Sequence, residues 1–283
     1  MTILFKISDL TKAIKNIKKK NEKIALIPTM GMIHDGHLSL VKEAKKYTEN
    51  IIVTIFVNEK QFNNSWDFKS YPRNLELDVK KLSALNVKYI FCPDSQEIYP
   101  KAPLINIDFG SLTNCLCAKD RLGHFSGVSL IIAKFFNIID PDYAFFGEKD
   151  YQQLLIIKNL THDLNYNVKI ISVPTLRCQD GLAMSSRNLL LEDKFRKIAP
   201  KAYEILSIMR DVIITLDDKQ DLCNIINEAK SNILESGFDK IDYLEIRNQS
   251  NLEQVNIYNK NLKLRIFFAG YLNMTRIIDN IVI

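Results

Sequence analysis

Ile24 to Leu40 reads IALIPTMGMIHDGHLSL. The apolar run Ile24 to Ile27 has the character of a buried strand, and Pro28 and Gly31 end it. His34 and His37 then bracket Asp35-Gly36. An amphipathic stretch begins at Leu38 and continues through Leu40, Val41 and Ala44. The order is strand, glycine turn, histidines, helix. A helix start behind a parallel strand offers unsatisfied backbone N–H groups and the positive end of a dipole, so it suits an anion such as phosphate.

Outward from this stretch, helical and apolar β-branched segments alternate. Ser8 to Lys20 predicts a helix, and Ile51 to Val57 a buried strand ending in the polar loop Asn58 to Phe62. A helix at about 74–85 and a strand Val87 to Cys92 follow. The region from Pro93 to Leu122 predicts a loop with a short strand, Ile105 to Phe109. Val128 to Ile139 predicts a long apolar helix, Asp142 to Phe146 a strand, Tyr151 to Leu164 a helix, and Val168 to Val173 a strand. This alternation is the mark of an α/β fold with a mainly parallel, Rossmann-like sheet. From about Glu192 the pattern changes to two helices, 192–215 and 219–236, and three short apolar stretches. That predicts a smaller α+β C-terminal domain, with the division at 1–183 and 184–283. Seven of the nine glycines precede residue 182. Glycine permits close approach of backbone to ligand, which places the chemistry in the first part.

The totals narrow the class. Hydrophobic residues make 47% and charged residues 25% of the 283, ordinary for a globular chain. No apolar run reaches the roughly 20 residues that span a bilayer, and the N-terminus does not read as a signal peptide. The expectation is a cytoplasmic protein with no membrane or nucleic-acid partner. The net charge of +5 is a mild excess. Its obvious cluster, Lys12 to Lys23, lies opposite Leu10, Ile14 and Ile17 with no interleaved aromatics, and so reads as a solvated helix face. Five irregularly spaced cysteines indicate neither a disulfide framework nor a zinc site.

Four constellations carry chemistry, each beside a plainer alternative. His34 and His37, spaced i, i+3, can both donate to phosphate oxygens. A zinc site would need further ligands, and only His124 and His162 remain; a structural turn is the third reading. Gly147-Glu148-Lys149-Asp150 repeats the strand–glycine–helix plan. Lys149 opposes the helix dipole there, which an anion shared with the helix would explain; a capped surface helix is the alternative. Met184-Ser185-Ser186-Arg187 can wrap phosphate with hydroxyls and a guanidinium, or simply cap a helix. Asn58, Gln61, Gln152 and Gln153 supply amides near strand ends, where open α/β sheets bind ligands, or line solvated loops. No nucleophilic triad and no paired carboxylates stand out. The balance points away from covalent catalysis and toward positioning of phosphates.

Taken together, these motifs resemble the pantothenate synthetases (pantoate–β-alanine ligases). The resemblance is carried by Pro28-Thr29-Met30-Gly31 with His34-Asp35-Gly36-His37; Phe56-Val57-Asn58 with Gln61-Phe62; Tyr71-Pro72-Arg73; Gly123-His124-Phe125; Phe146 to Asp150 with Gln152-Gln153-Leu154; Asp180 to Asn188; and Arg276 to Asn280. It implies condensation of pantoate with β-alanine through a pantoyl adenylate, with ATP and Mg²⁺, usually in a homodimer. The histidine loop and the Met184 to Arg187 stretch are also similar to the two signature motifs of class I aminoacyl-tRNA synthetases. Carried over by position, the resemblance assigns Met30, Gly31, Met32, Ile33, His34, Asp35, Gly36 and His37 to the ATP loop. Gly147, Glu148, Lys149, Asp150, Leu176, Met184, Ser185, Ser186 and Arg187 would complete the ATP contacts. His37, His34 and Lys149 would be catalytic, with His37 as proton donor. Gln61 and Gln153 would bind pantoate or β-alanine, with Asn58 in support. Metal ligands are not implied; Asp78, on the helix after Tyr71-Pro72-Arg73, is a candidate metal or supporting contact, the plainer reading being a solvated helical residue.

Two places depart from the family pattern. Glu59 stands where proline is frequent, and Cys117 to Leu122 keeps Arg121 but not the acidic and proline positions. A nucleotidylyltransferase would share the histidine loop without needing the amides. A nucleotide sensor would tolerate loss of His37 without losing ATP affinity.

Overall fold

The computed structural model describes residues 1–63 and 65–283, with the backbone alone at 65–67. The chain divides into two compact units. One holds Met1–Glu148 and Gln152–Pro174; the other holds Lys149–Tyr151 and Thr175–Ile283.

The first unit is built on a six-stranded sheet: β1 (Thr2–Leu4), β2 (Ala25–Thr29), β3 (Ile51–Ile55), β4 (Tyr89–Phe91), β5 (Tyr143–Gly147) and β6 (Lys169–Val173). The spatial order is β1-β4-β3-β2-β5-β6, and every pairing is parallel. Parallel strands covered on both faces read as unbroken apolar runs. Accordingly Ala25, Leu26 and Ile27 on β2 have no exposed surface. The connecting helices are α1 (Ile7–Lys19), α2 (Asp35–Ala44), α3 (Ser65–Ser70), α4 (Leu75–Ser83), α5 (Ser95–Ile98), α6 (Cys117–Asp120), α7 (His124–Ile139) and α8 (Tyr151–Asp163). Helix α1 buries Leu10, Ile14 and Ile17, the face opposite the lysines. The winding reverses between β2 and β5. The loops that follow these two strands therefore flank the switch point, the crevice where open α/β sheets take ligands. Those loops carry the two histidines and Gly147-Glu148.

Two expectations fail locally, and one strand carries no readable signal. Ile105 to Phe109 forms no strand; Ile105 is 69% exposed, and Ile107 N–H bonds instead to Ser126 Oγ at 3.1 Å. β1 went unread because three residues are too few for a periodicity. The expected helix 192–215 is two helices, α9 (Asp193–Ile198) and α10 (Pro200–Ile213). Pro200 has no N–H to continue the first ladder but suits the first turn of the second.

The second unit packs α10 and α11 (Cys223–Glu235) on an antiparallel sheet of β7 (Lys240–Asn248), β8 (Leu264–Leu272) and β9 (Thr275–Val282), in that spatial order. Leu206, Ile213, Ile246 and Phe268 form its fully buried centre. Thr175 to Ala183, expected in the first domain, belong by their contacts to this unit. Leu182 enters its core, and Arg177 pairs with Asp279 on β9.

Candidate active site

The loop after β2 is shaped by a carboxylate 45 residues away. Gly31 and Met32 both have positive φ, +82° and +53°. This double left-handed turn presents the Met32 and Ile33 N–H groups to one carboxylate. Asp78, on α4 and 1% exposed, accepts Met32 N–H at 2.9 Å and Ile33 N–H at 2.6 Å. A Cβ on Gly31 would sit 2.9 Å from Asp78 Oδ2, so glycine is required for space as well as for φ. Lys81 Nζ donates to Ile33 O at 2.5 Å, fixing the other side of the same peptide run. Burial pushes the Asp78 carboxyl above its ordinary value, against the pull of the Ile33 and Met32 N–H groups and of Lys81. The sequence offered Asp78 as a metal contact, a supporting contact or a solvated helical residue; it is buried, not solvated, and clamps the loop.

The two histidines form the N-terminal cap of α2. His34 is the N-cap residue, and its Nδ1 accepts Gly36 N–H at 3.1 Å. His37 reaches back, its Nδ1 accepting His34 N–H at 3.3 Å. This is the reciprocal arrangement of a capping box, built from imidazoles. The i, i+3 spacing follows from it, and so does the tautomer. An Nδ1 that accepts a backbone N–H cannot carry a proton, so each neutral ring carries it on Nε2 and is a donor there. The ring centroids lie 4.0 Å apart. The structural and the phosphate-binding readings of this pair thus use different nitrogens of the same rings.

Beside the loop, the amides form an oriented chain. Asn58 is 1% exposed; its Nδ2 donates to Gly127 O at 3.0 Å and to Gln61 Oε1 at 3.2 Å. Its Oδ1 accepts Tyr99 O–H at 3.0 Å. Burial, with Glu59 nearby, pushes the Tyr99 hydroxyl pKa well up and keeps it a donor. These partners settle the Asn58 orientation and pass it to Gln61, whose Nε2 lies 3.0 Å from Met30 Sδ. Asn58 thereby fixes Gln61, the amide brought against the Met30 loop. His124 Nδ1 lies 2.7 Å from Gln61 O. A Cβ on Gly127 would come within 2.1 Å of Lys60 O, so helix α7 must have glycine where this loop crosses it. Gln152 is buried and serves structure: it bonds Cys117 N–H, Leu112 O and Cys115 O at 3.1, 2.9 and 2.9 Å. Gln153 is half-buried on α8.

At the end of β5, a Cβ on Gly147 would meet nothing within 4 Å, leaving space for a ligand above the strand. Lys149 and Asp150 fall in the second unit, with Nζ 3.7 Å from Asp150 Oδ1. In that unit the strip 176–184 folds back on itself, with Met184 N–H to Leu176 O at 3.0 Å and Cys178 N–H to Leu182 O at 2.8 Å. Leu176 is 39% exposed. The strip delivers Ser185, whose Oγ accepts Arg187 N–H at 3.2 Å and caps the short turn Ser186–Leu190. Its own hydroxyl proton remains for another acceptor. Tyr99, the clamp of Asp78 and the Arg177–Asp279 pair were absent from the sequence reading. Each joins residues far apart in the chain.

The sequence matches the family described as Pantoate-beta-alanine ligase over residues 2–282. The chain belongs to that family. It is 45% identical over 283 residues to the pantothenate synthetase of Buchnera aphidicola subsp. Acyrthosiphon pisum (strain 5A), covering 99% of this chain and 98% of the relative. It is similar to the crystal structure of pantothenate synthetase from Thermus thermophilus, with a TM-score of 0.91, 33% identity and 99% of each chain covered. The pantoate-beta-alanine ligase of Francisella tularensis, complexed with beta-gamma ATP and beta-alanine, gives a TM-score of 0.82 at 37% identity, over 100% of this chain and 97% of that one. The chain is an ATP-dependent, AMP-forming ligase that joins pantoate to β-alanine and yields pantothenate.

Proposed function

We propose that the reaction runs through a pantoyl adenylate, with the capped histidine pair as its electrostatic centre. The pantoate carboxylate attacks the α-phosphorus of ATP, and the bond to pyrophosphate breaks. The β-alanine amine then attacks the activated carbonyl, AMP leaves with the bonding electron pair, and the nitrogen releases a proton to water. Both nucleophiles belong to substrates, so the protein supplies position and charge. The observation that carries this reading is the pair of Nδ1 caps, which makes both rings Nε2–H donors. Such donors can follow phosphate charge as it builds; contacts of this kind contribute about 2.7–4 kcal/mol each where oxyanion-hole magnitudes transfer. His37 then acts as a hydrogen-bond donor, and no protonated imidazole is needed.

The remaining assignments rest on the family resemblance with local geometry in support. Met30 to His37, Gly147 to Asp150, Leu176 and Met184 to Arg187 contact ATP, with Lys149 taking phosphate charge in the transition state. Gln61 and Gln153 hold pantoate, with Asn58 behind Gln61. Mg²⁺ accompanies ATP. Among the described residues no group of three or more His, Cys, Asp or Glu is placed to hold a metal. The metal would neutralise phosphate charge, while the protein orients what carries it. A homodimer in the cytoplasm is the assembly and location the resemblance implies. No helix among the described residues is long and apolar enough to cross a membrane.

ATP–pyrophosphate exchange measured with pantoate but without β-alanine tests the adenylate. Label should enter ATP only when pantoate is present. Folded protein that binds ATP yet shows no pantoate-dependent exchange overturns the two-step route.

A further inference from the structure

The segment Arg276 to Asn280 near the C-terminus contains a polar pair, Asp279-Asn280, on the largely apolar strand β9. Both side chains are buried, at 5% and 4% exposure. Burying a carboxylate and an amide is costly unless they are paired, and apolar residues would fill a small core at less risk. Their partners show what the pair holds.

Asn280 Nδ2 donates to the backbone carbonyl of Lys149 at 2.8 Å. Its Oδ1 accepts from Arg265 Nη1. Arg265 can only donate, so the amide cannot flip, and its N–H₂ must face Lys149. The same Arg265 guanidinium lies 3.9 Å from the ring centroid of Tyr151, and Tyr151 O–H donates to Gln249 O at 3.2 Å. Lys149 to Tyr151 are thereby tied to the C-terminal sheet, although the residues on either side belong to the first unit.

Asp279 holds the other piece. Arg177 donates to it twice, Nη1 to Oδ2 at 2.6 Å and Nη2 to Oδ1 at 2.9 Å. Arg177 Nη1 also donates to Gly181 O at 3.0 Å, and its guanidinium stacks 3.6 Å from the Tyr203 ring centroid. The guanidinium thus locks both arms of the 176–184 strip that ends at Ser185. Asp279 Oδ1 accepts Asn280 N–H at 2.7 Å, which couples the two anchors.

We propose that Asp279 and Asn280 are positioning residues for the adenylation step. One dipeptide on β9 holds the Lys149 backbone with one side chain and the Ser185-Ser186-Arg187 strip with the other, setting the spacing of the two cationic pieces that grip the triphosphate. Both side chains are buried and act through the segments they hold. The inference rests on the reading of Lys149 and Ser185 to Arg187 as ATP contacts.

The discriminating change is Asn280→Asp. It is isosteric and keeps the acceptor for Arg265, but turns the donor facing Lys149 O into a second acceptor. ATP affinity by calorimetry and pantoate-dependent exchange are measured for Asn280→Asp, for Lys149→Ala and for the double variant. The expected result is a folded Asn280→Asp protein with weakened ATP binding, an unchanged KM for pantoate, and exchange slowed by on the order of 100-fold, the scale of a misplacement near 1 Å. In the Lys149→Ala background the same change should add little, because the group it positions is gone. Wild-type exchange in Asn280→Asp, or losses that multiply in full in the double variant, overturn the positioning role while leaving Lys149 as a contact. Near wild-type exchange in Lys149→Ala overturns the underlying reading and the positioning with it. If Asn280→Asp does not fold, Asn280→Ser in the same cycle gives the same comparison, since its short hydroxyl stops short of Lys149 O.

Discussion

Two loops of this ligase that we propose to meet ATP are each held by one buried aspartate, but the two aspartates are compensated differently. Asp78 holds residues 31–33 by accepting two backbone N–H groups; the nearby Lys81 donates to Ile33 O. Asp279 holds the 176–184 strip through a guanidinium that binds it on both oxygens. A buried carboxylate with backbone partners alone keeps much of its desolvation cost, which is why burial dominates at Asp78. A carboxylate in a two-pronged ion pair offsets that cost, but removal of either partner strands the other. Asp78 should therefore be tuned mainly for function and Asp279 more heavily for integrity of its unit.

The largest expected effect is on stability. Asp279→Ala leaves Arg177 with a side chain 17% exposed and no carboxylate, and should cost about 3–5 kcal/mol of unfolding free energy. A urea midpoint close to wild type would break the contrast. Next is Asp78→Asn, in which one of two backbone N–H groups must face an amide N–H₂. Exchange should fall by on the order of 100-fold as the loop shifts, while stability falls by no more than about 1–3 kcal/mol. The sign of the pH response sharpens this. The folded-state pKa of Asp78 lies above its unfolded value of 3.8, so the folded protein holds that proton to higher pH. Stability from this group falls as pH rises through the window above 3.8, and Asp78→Asn should flatten the slope. The smallest effect is spectroscopic. Imidazole ¹⁵N shifts should show His34 and His37 in the Nε2–H form at neutral pH, and an Nδ1–H ring would remove the capping box.

Much of the first unit was legible because its signals are local. Ile24 to Ile27 reads as a strand because every residue is buried. The glycine at 31 and the helix after His37 follow within a few positions. The order of motifs was enough to nominate Lys149 and Met184 to Arg187 as further ATP contacts. Ile105 to Phe109 misled because apolar residues alone do not make a strand without an edge to join. The 192–215 helix misled because its periodicity runs straight across Pro200.

The sequence by itself determined the α/β class, the strand–turn–histidine–helix unit and the family, since all three are written in spacings of a few residues. Only the tertiary structure decided what holds that unit in shape. It showed that the histidine pair spends its Nδ1 atoms on capping, which leaves Nε2 to carry the proton of each neutral ring. It showed that Asn58 is oriented from Tyr99 and Gly127. It also placed Asp78, Arg177–Asp279 and Asn280 on their targets. The physical reason is separation along the chain. These polar contacts join residues 45, 102 and 131 positions apart, and a buried hydrogen bond leaves no periodicity in sequence to announce its partner.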